Sequence, residues 1–582
     1  MRLAALVLIA IGFCFADDPP AKEVDMQWGV KIPLRDGVHL NATIYRPHQQ
    51  KEPLPVIFTL TPYIGDSYLD RATYFSRNGY VYALVDVRGR GNSEGRFEPF
   101  ANEGRDGYDT VEWLAKQAWC NGKVAMWGGS YAGFDQWSTL KEFPPHLTTI
   151  VPAAAAHPAV DFPFFHNIYS SYIIQWLTFT SGVTGNTNTF GNSDFWKSKF
   201  TDLYVNHRPF RELDRVVGNT TTVFRNWLDH PTPDAYWNAM APSPEDYEKI
   251  AIPILTITGH YDGDQAGAMT YYRRHMQFGT ESAKANHYLI VGPWDHAGTR
   301  TPRKEVGGLT FGDASVLDLN KLHKQWYDWT MKGGPKPEFL KERVSYFVPG
   351  AEAWKYAKSL DSLSPEIHKL YLSSHGGSAN EVFQSGQLSA AEPGQQEPDH
   401  FVYDPLDVRP AAIQQRDVPN SLTDQTDVLN LFGNGLVYHS DVFPADIEIT
   451  GYLKFVAWIA MDVPDTDFAV ELDEIKPDGT SVQLTSDMLR ARYRDSLENE
   501  KLVGAGEINR YEFNGFTFFS RRIAQGSRLR LVLTCPNSIQ FEKNYNSGKT
   551  VAEESAKDAR TAHVTVYHDG RHASFLEIPV IQ

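Results

Sequence analysis

Lys123-Val124-Ala125-Met126-Trp127-Gly128-Gly129-Ser130-Tyr131-Ala132-Gly133-Phe134 is the stretch on which the reading of this chain turns. Lys123 to Trp127 is strand-like and a helical stretch opens near Phe134, so Ser130 stands in a sharp strand-to-helix turn. A serine in such a turn needs small neighbours, because a Cβ there collides with the adjoining backbone; Gly128 and Ala132 meet that need. The turn lifts the Ser130 hydroxyl above the sheet and aims the N–H of Tyr131 at the same point, the form of a nucleophile elbow with half an oxyanion hole. The usual second glycine is replaced by Ala132, with Gly133 one place later. Glycine-rich turns around serine are common by chance, so position along the chain has to decide.

Working outward, Leu54 to Leu60 and Tyr80 to Val87 are apolar runs of strand length, and Tyr108 to Lys116 has helical spacing. Strand and helix in alternation predict a parallel sheet. Downstream, Ile252 to Thr258 and His287 to Val291 resume the strand pattern on either side of a helix-like Ala266 to Phe278. Asp262 follows the first of these in Thr258-Gly259-His260-Tyr261-Asp262-Gly263, and His296 follows the second in Gly292-Pro293-Trp294-Asp295-His296. Serine, acid and histidine in that order, each after a strand, match the α/β-hydrolase arrangement. His296 would take the Ser130 proton and return it to the leaving group, while Asp262 would fix the imidazole tautomer and stabilise its cation. Asp264 competes for the acid role, and His260 and His275 for the base.

Between the two halves of the sheet lies an aromatic region, with Phe162, Phe164, Phe165, Tyr169, Tyr172, Trp176 and Phe179 in close succession. It reads as an insertion, over 154–245, closing at the proline punctuation of Pro242-Ser243-Pro244. Its rings would either line a pocket over the site or glue the cap helices together. The α/β domain therefore takes 24–153 and 246–344. Beyond about Ser345 short alternating strands predict a β-sandwich over 345–582, with Asp478-Gly479 a hairpin turn and 376–396 a surface loop.

At 582 residues the chain is multidomain, and a formal charge of −16 disfavours nucleic acid and anionic membranes as partners. Residues 1–16 read as a signal peptide: Arg2, then a Leu3 to Phe13 run too short for a final anchor, then a cut after Ala16, with a lipoprotein at Cys14 the weaker option. A secreted or periplasmic protein without a membrane anchor is the expectation. Cys120 and Cys535, in different domains, read as unpaired thiols. No paired-cysteine or His-Glu-x-x-His pattern points to a metal.

The chain resembles the cocaine esterase and X-Pro dipeptidyl-peptidase (CocE/NonD) group of serine hydrolases, which includes α-amino-acid ester hydrolases. The matching pieces are Ile32-Pro33-Leu34-Arg35-Asp36-Gly37, Thr61-Pro62-Tyr63, Asp86-Val87-Arg88-Gly89-Arg90-Gly91-Asn92-Ser93-Glu94-Gly95, residues 128–133, Tyr261-Asp262-Gly263, and residues 292–296. They recur in family order across essentially the whole mature chain. The resemblance implies an α/β-hydrolase domain with an inserted helical cap and a C-terminal jelly roll. It implies Ser130 as nucleophile, Asp262 as acid and His296 as base, with the Tyr63 hydroxyl joining the Tyr131 N–H in the oxyanion hole. The Arg88 to Gly95 segment reads as a structural turn outside the site.

The expected activity is cleavage of a small ester, amide or short peptide through an acyl-enzyme, with no cofactor. Release of X-Pro dipeptides is the alternative within enzymes, and a secreted carbohydrate-binding or adhesive protein the alternative outside them. The sequence leaves open the acyl and leaving groups and whether the chain forms a homo-oligomer.

Overall fold

The computed structural model describes residues 23–581, so the leader read at 1–16 lies outside the described residues. Six strands, β1 (Val24–Pro33), β2 (His39–Pro47), β3 (Leu54–Thr61), β4 (Val81–Asp86), β5 (Cys120–Ser130) and β6 (Leu147–Ala155), open a ten-stranded sheet. Ile254–Tyr261, His287–Asp295, Val344–Val348 and Ala353–Ala357 complete it. The spatial order is β1-β2-β4-β3-β5-β6, followed by the last four strands in chain order. From β4 to Val344–Val348 the pairing is parallel, and the outer strands pair antiparallel.

A parallel sheet has both faces covered, which is why its strands read as unbroken apolar runs. β4 is buried along its whole length. On one face helices α2 (Glu103–Ala115), α3 (Tyr131–Leu140) and Gln265–Phe278 set Val111, Leu114, Trp137, Leu140 and Tyr271 into the core. On the other, α1 (Leu69–Arg77) and Leu319–Lys332 contribute Phe75, Leu322, Trp326 and Tyr327. The chain steps from β3 to β4 on one side and then to β5 on the other. Strand order thus reverses around β3, and at such a reversal a crevice opens beyond the carboxyl ends of the strands, where ligands bind.

The segment between β6 and Ile254–Tyr261 forms a mainly helical layer, including α4 (Tyr172–Phe179), Ser193–Val205 and Thr222–Leu228. Its aromatic residues do both of the things expected of them. Phe164, Tyr169, Trp196, Phe200, Phe224, Trp227 and Trp237 form a shared core, while Phe162, Tyr172 and Trp176 face the cavity described below.

The C-terminal part is an all-β domain of thirteen connected strands, nearly all antiparallel, from Glu366–Ser373 to Phe575–Ile581. Asp467–Ile475 and Ser481–Arg490 form the hairpin turned at Asp478-Gly479. Two features differ from the sequence reading. Val344–Val348 and Ala353–Ala357 belong to the α/β sheet, because all five residues of the first are buried and it extends the parallel stack beside His287–Asp295. The stretch 376–396 is not all loop: Gly386–Ser389 pairs with Glu366–Ser373 and Leu436–Ser440, burying Gly386 and Leu388.

Candidate active site

Ser130 ends β5 and precedes α3 with φ 62 and ψ −127, a conformation rare for any residue bearing a Cβ. Its neighbours explain how the turn closes. A Cβ on Gly128 would stand 2.7 Å from the Cβ of Ala132, and one on Gly133 would stand 2.8 Å from the Cα of Ala155. Arg300 fills the space beside Gly129, where a Cβ would meet its Cδ at 2.5 Å. β5 runs beyond Trp127 to the serine itself, so the sheet carries the strained residue rather than a loop.

A cavity of about 410 Å³ lies over this turn, lined by Ser130, Tyr131, Tyr63, His296 and Asp264, with Asp161, Phe162, Tyr172, Ile173 and Trp176. Ser130, Tyr63 and Asp264 thus face one another across the same cavity. Asp262 stands behind His296: its Oδ1 is 2.8 Å from His296 Nδ1, and it also accepts from Thr258 Oγ1 at 2.8 Å and from the Asp264 N–H at 3.0 Å. Burial works to raise the Asp262 pKa, but His296 together with the Asp264 N–H and the Thr258 hydroxyl outweighs it and holds the carboxyl below its usual range. Burial works to lower the His296 pKa, and the charges of Asp264 and Asp262 more than reverse that.

The competing residues separate by geometry. Asp264 Oδ2 lies 3.8 Å from His296 Nδ1, beyond the distance Asp262 holds. His260 is buried with its Nε2 bonded to the Phe347 carbonyl at 2.7 Å, and His275 is buried against His287 at 2.8 Å. Of these histidines, His296 is the one that lines the cavity.

Tyr63 follows β3, and its oxygen accepts from the Trp176 indole N–H at 3.1 Å while its ring stacks on Phe179. Burial raises its pKa, so it keeps its proton. Tyr131 begins α3; its phenol reaches away from the cavity, donating to buried Glu103 at 2.6 Å and accepting from the Phe100 N–H at 2.6 Å.

Sequence reasoning missed Asp161 and gave Asp264 only a competing part. Both face the cavity. Burial pushes the Asp264 carboxyl up to about 6 and the Asp161 carboxyl well above its usual range. Asp161 is gripped by the N–H groups of His157 and Gly267, at 2.8 Å and 2.5 Å. An acid opening an aromatic run, as in Asp161-Phe162-Pro163, was the one signal for it in the sequence.

The family model for X-Pro dipeptidyl-peptidase (S15 family) matches residues 36–298, and that for the X-Pro dipeptidyl-peptidase C-terminal non-catalytic domain matches residues 338–577. The chain is a serine hydrolase of the CocE/NonD family. The cocaine esterase of Rhodococcus sp. (strain MB1 Bresler) is 27% identical over 577 residues, spanning 95% of this chain and 98% of that protein. An aminopeptidase from a Thaumarchaeota archaeon shares the fold with a TM-score of 0.83 at 20% identity, covering 99% of both chains. An α-amino acid ester hydrolase does so with a TM-score of 0.82 at 20% identity, over 98% of this chain and 100% of that one. The CocE/NonD family match thus runs through both the sheet that carries Ser130 and the β domain.

Proposed function

We propose that this hydrolase cleaves small carboxylic esters or amides by acyl transfer through Ser130, His296 and Asp262. The observation that carries the reading is His296, which faces the Ser130 cavity with one side and holds Asp262 at 2.8 Å with the other. His296 removes the Ser130 proton as the oxygen attacks the carbonyl carbon and delivers it to the departing alcohol or amine. Asp262, fixed by two further hydrogen bonds, keeps the imidazole oriented and stabilises its cation. The Tyr63 O–H and the Tyr131 N–H stabilise the oxyanion, and water then hydrolyses the acyl-enzyme by the same steps. We read the C-terminal domain as a jelly roll, supported by its mainly antiparallel pairing, and the chain as exported, supported by the sequence of residues 1–16.

A second reading narrows the substrate to acyl groups carrying a free amine. Asp161 and Asp264 bring two carboxylates into one aromatic cavity, and an ammonium ion is the ligand that would relieve their burial. The experiment compares p-nitrophenyl esters of an acyl group with and without an α-amine, beside a Gly-Pro anilide, using wild type and Ser130→Ala. Turnover and labelling by a fluorophosphonate should both vanish in the folded Ser130→Ala protein; wild-type turnover there would refute the nucleophile. Equal kcat/KM for the two esters would remove the amine from the reading, and preference for the anilide would make the protein a peptidase.

A further inference from the structure

Arg90, in the Arg88 to Gly95 segment read from sequence as a structural turn outside the site, and Asp86, just before it, send their side chains to the loop that carries Tyr63. Asp86, at the end of β4, accepts from the Gly65 N–H at 2.6 Å through Oδ1. Arg90, fully buried, donates through Nε to the Pro62 carbonyl at 2.8 Å. Tyr63 is thus suspended between two anchored neighbours, Pro62 and Gly65.

The other end of the Arg90 guanidinium reaches the cap. Nη1 donates to the carbonyls of Gly182, Ser181 and Thr184 at 2.5, 3.2 and 3.4 Å, and Nη2 to that of Phe179 at 3.5 Å. The Gly91 N–H adds a bond to the Val183 carbonyl at 2.6 Å. These carbonyls lie at and just after the C-terminus of α4, where unsatisfied acceptors and the helix dipole favour a cation. One turn back on α4 stands Trp176, whose indole N–H meets the Tyr63 oxygen at 3.1 Å.

One guanidinium therefore holds both partners of the Trp176–Tyr63 hydrogen bond. With one lone pair of the phenol oxygen engaged by Trp176, its O–H is left to turn toward Ser130. We infer that Arg90 is a positioning residue that fixes the direction of the Tyr63 O–H through the Pro62 carbonyl and the end of α4. The inference rests on the reading of Tyr63 as an oxyanion donor. A burial cost on Arg90, which lowers its pKa to about 10 with Asp86 opposing, is the cost this arrangement carries.

The test is a double-mutant cycle of Arg90→Met and Arg90→Lys against Tyr63→Phe, on p-nitrophenyl acetate, with a boronic acid as mimic of the tetrahedral intermediate. Arg90→Met should lower kcat about 10²-fold, the scale of a misplaced catalytic group, with little change in KM. Boronic acid affinity should fall by the same factor, and the loss should disappear once Tyr63 is already Phe. Arg90→Lys keeps a cation at the helix end without the fork that reaches Pro62, and should fall between wild type and Arg90→Met. Wild-type kcat in Arg90→Met, or an equal loss in the Tyr63→Phe background, overturns the inference while leaving the oxyanion hole intact. Tyr63→Phe with wild-type kcat overturns the oxyanion reading and this inference with it. Should Arg90→Met not fold, Arg90→Lys in the same cycle distinguishes the same outcomes.

Discussion

His296 faces two carboxylates, at 2.8 and 3.8 Å, and the proposed triad gives them different work. Asp262→Asn should lower kcat by about 10⁴-fold, because the amide favours the wrong imidazole tautomer. Asp264→Asn should leave kcat far less affected and act on substrate choice, which steady-state kinetics on the paired amine and des-amino esters would separate. The pH dependence follows from the same charges. Because Asp264 and Asp262 hold the His296 pKa above its usual value, the basic form is lost as pH falls, and the acid limb of kcat/KM should lie above about 6.5. An acid limb below that value in a pH profile would contradict the charge balance at His296. Asp264 itself loses its proton as pH rises through about 6. Preference for an amine-bearing ester should therefore grow across that range, and a pH-independent ratio would argue against an ammonium subsite. Tyr63→Phe should reduce kcat by about 10²-fold, the loss typical of one oxyanion donor.

At the scale of elements, the strand-to-helix turn is a packing problem solved by absent side chains. Gly128→Ala would bring a methyl group to 2.7 Å from the Cβ of Ala132, closer than carbon atoms pack. It should destabilise the fold by about 1–3 kcal/mol and lower kcat through displacement of Ser130, as thermal melts and kinetics on one preparation would report. The turn, the strands beside it and the loops bearing Asp262 and His296 were legible because each is local: an apolar run, then a glycine or acid at its end. Arg90 was not legible, because its partners at Pro62 and 179–184 are brought to it by the crossing of β4 beside β3 and by the cap insertion. Asp161 left one faint signal, an acid opening an aromatic run, which does not reveal that the fold sets it across a cavity from Asp264. The strands Val344–Val348 and Ala353–Ala357 show a further limit, for a short apolar segment does not announce which sheet it joins.

For the whole molecule, the cap is bonded both to the catalytic domain, through Arg90, and to the β domain. Arg490, buried in the β domain, binds Asp467 and Glu542 at 2.8 and 2.7 Å and donates to the Asn167 carbonyl of the cap at 2.9 Å. The Glu542 N–H bonds the Tyr169 carbonyl at 2.9 Å, and the Ser171 N–H bonds that of Gln540 at 2.7 Å. Arg490→Met would strand two buried carboxylates, so a loss of about 3–5 kcal/mol in denaturant unfolding is expected. Turnover should fall with it if the cap shifts over Ser130. The free thiols carry a different consequence. Cys120 opens β5 in the catalytic domain and Cys535 lies in the β domain, and both are shielded, at 8% and 1% exposure. Burial raises both thiol pKa values, which further slows alkylation in the intact protein. Reaction with iodoacetamide thus waits for each domain to breathe open, and mass spectrometry of the two cysteine peptides would clock the loosening of the two halves independently, without any introduced cysteine.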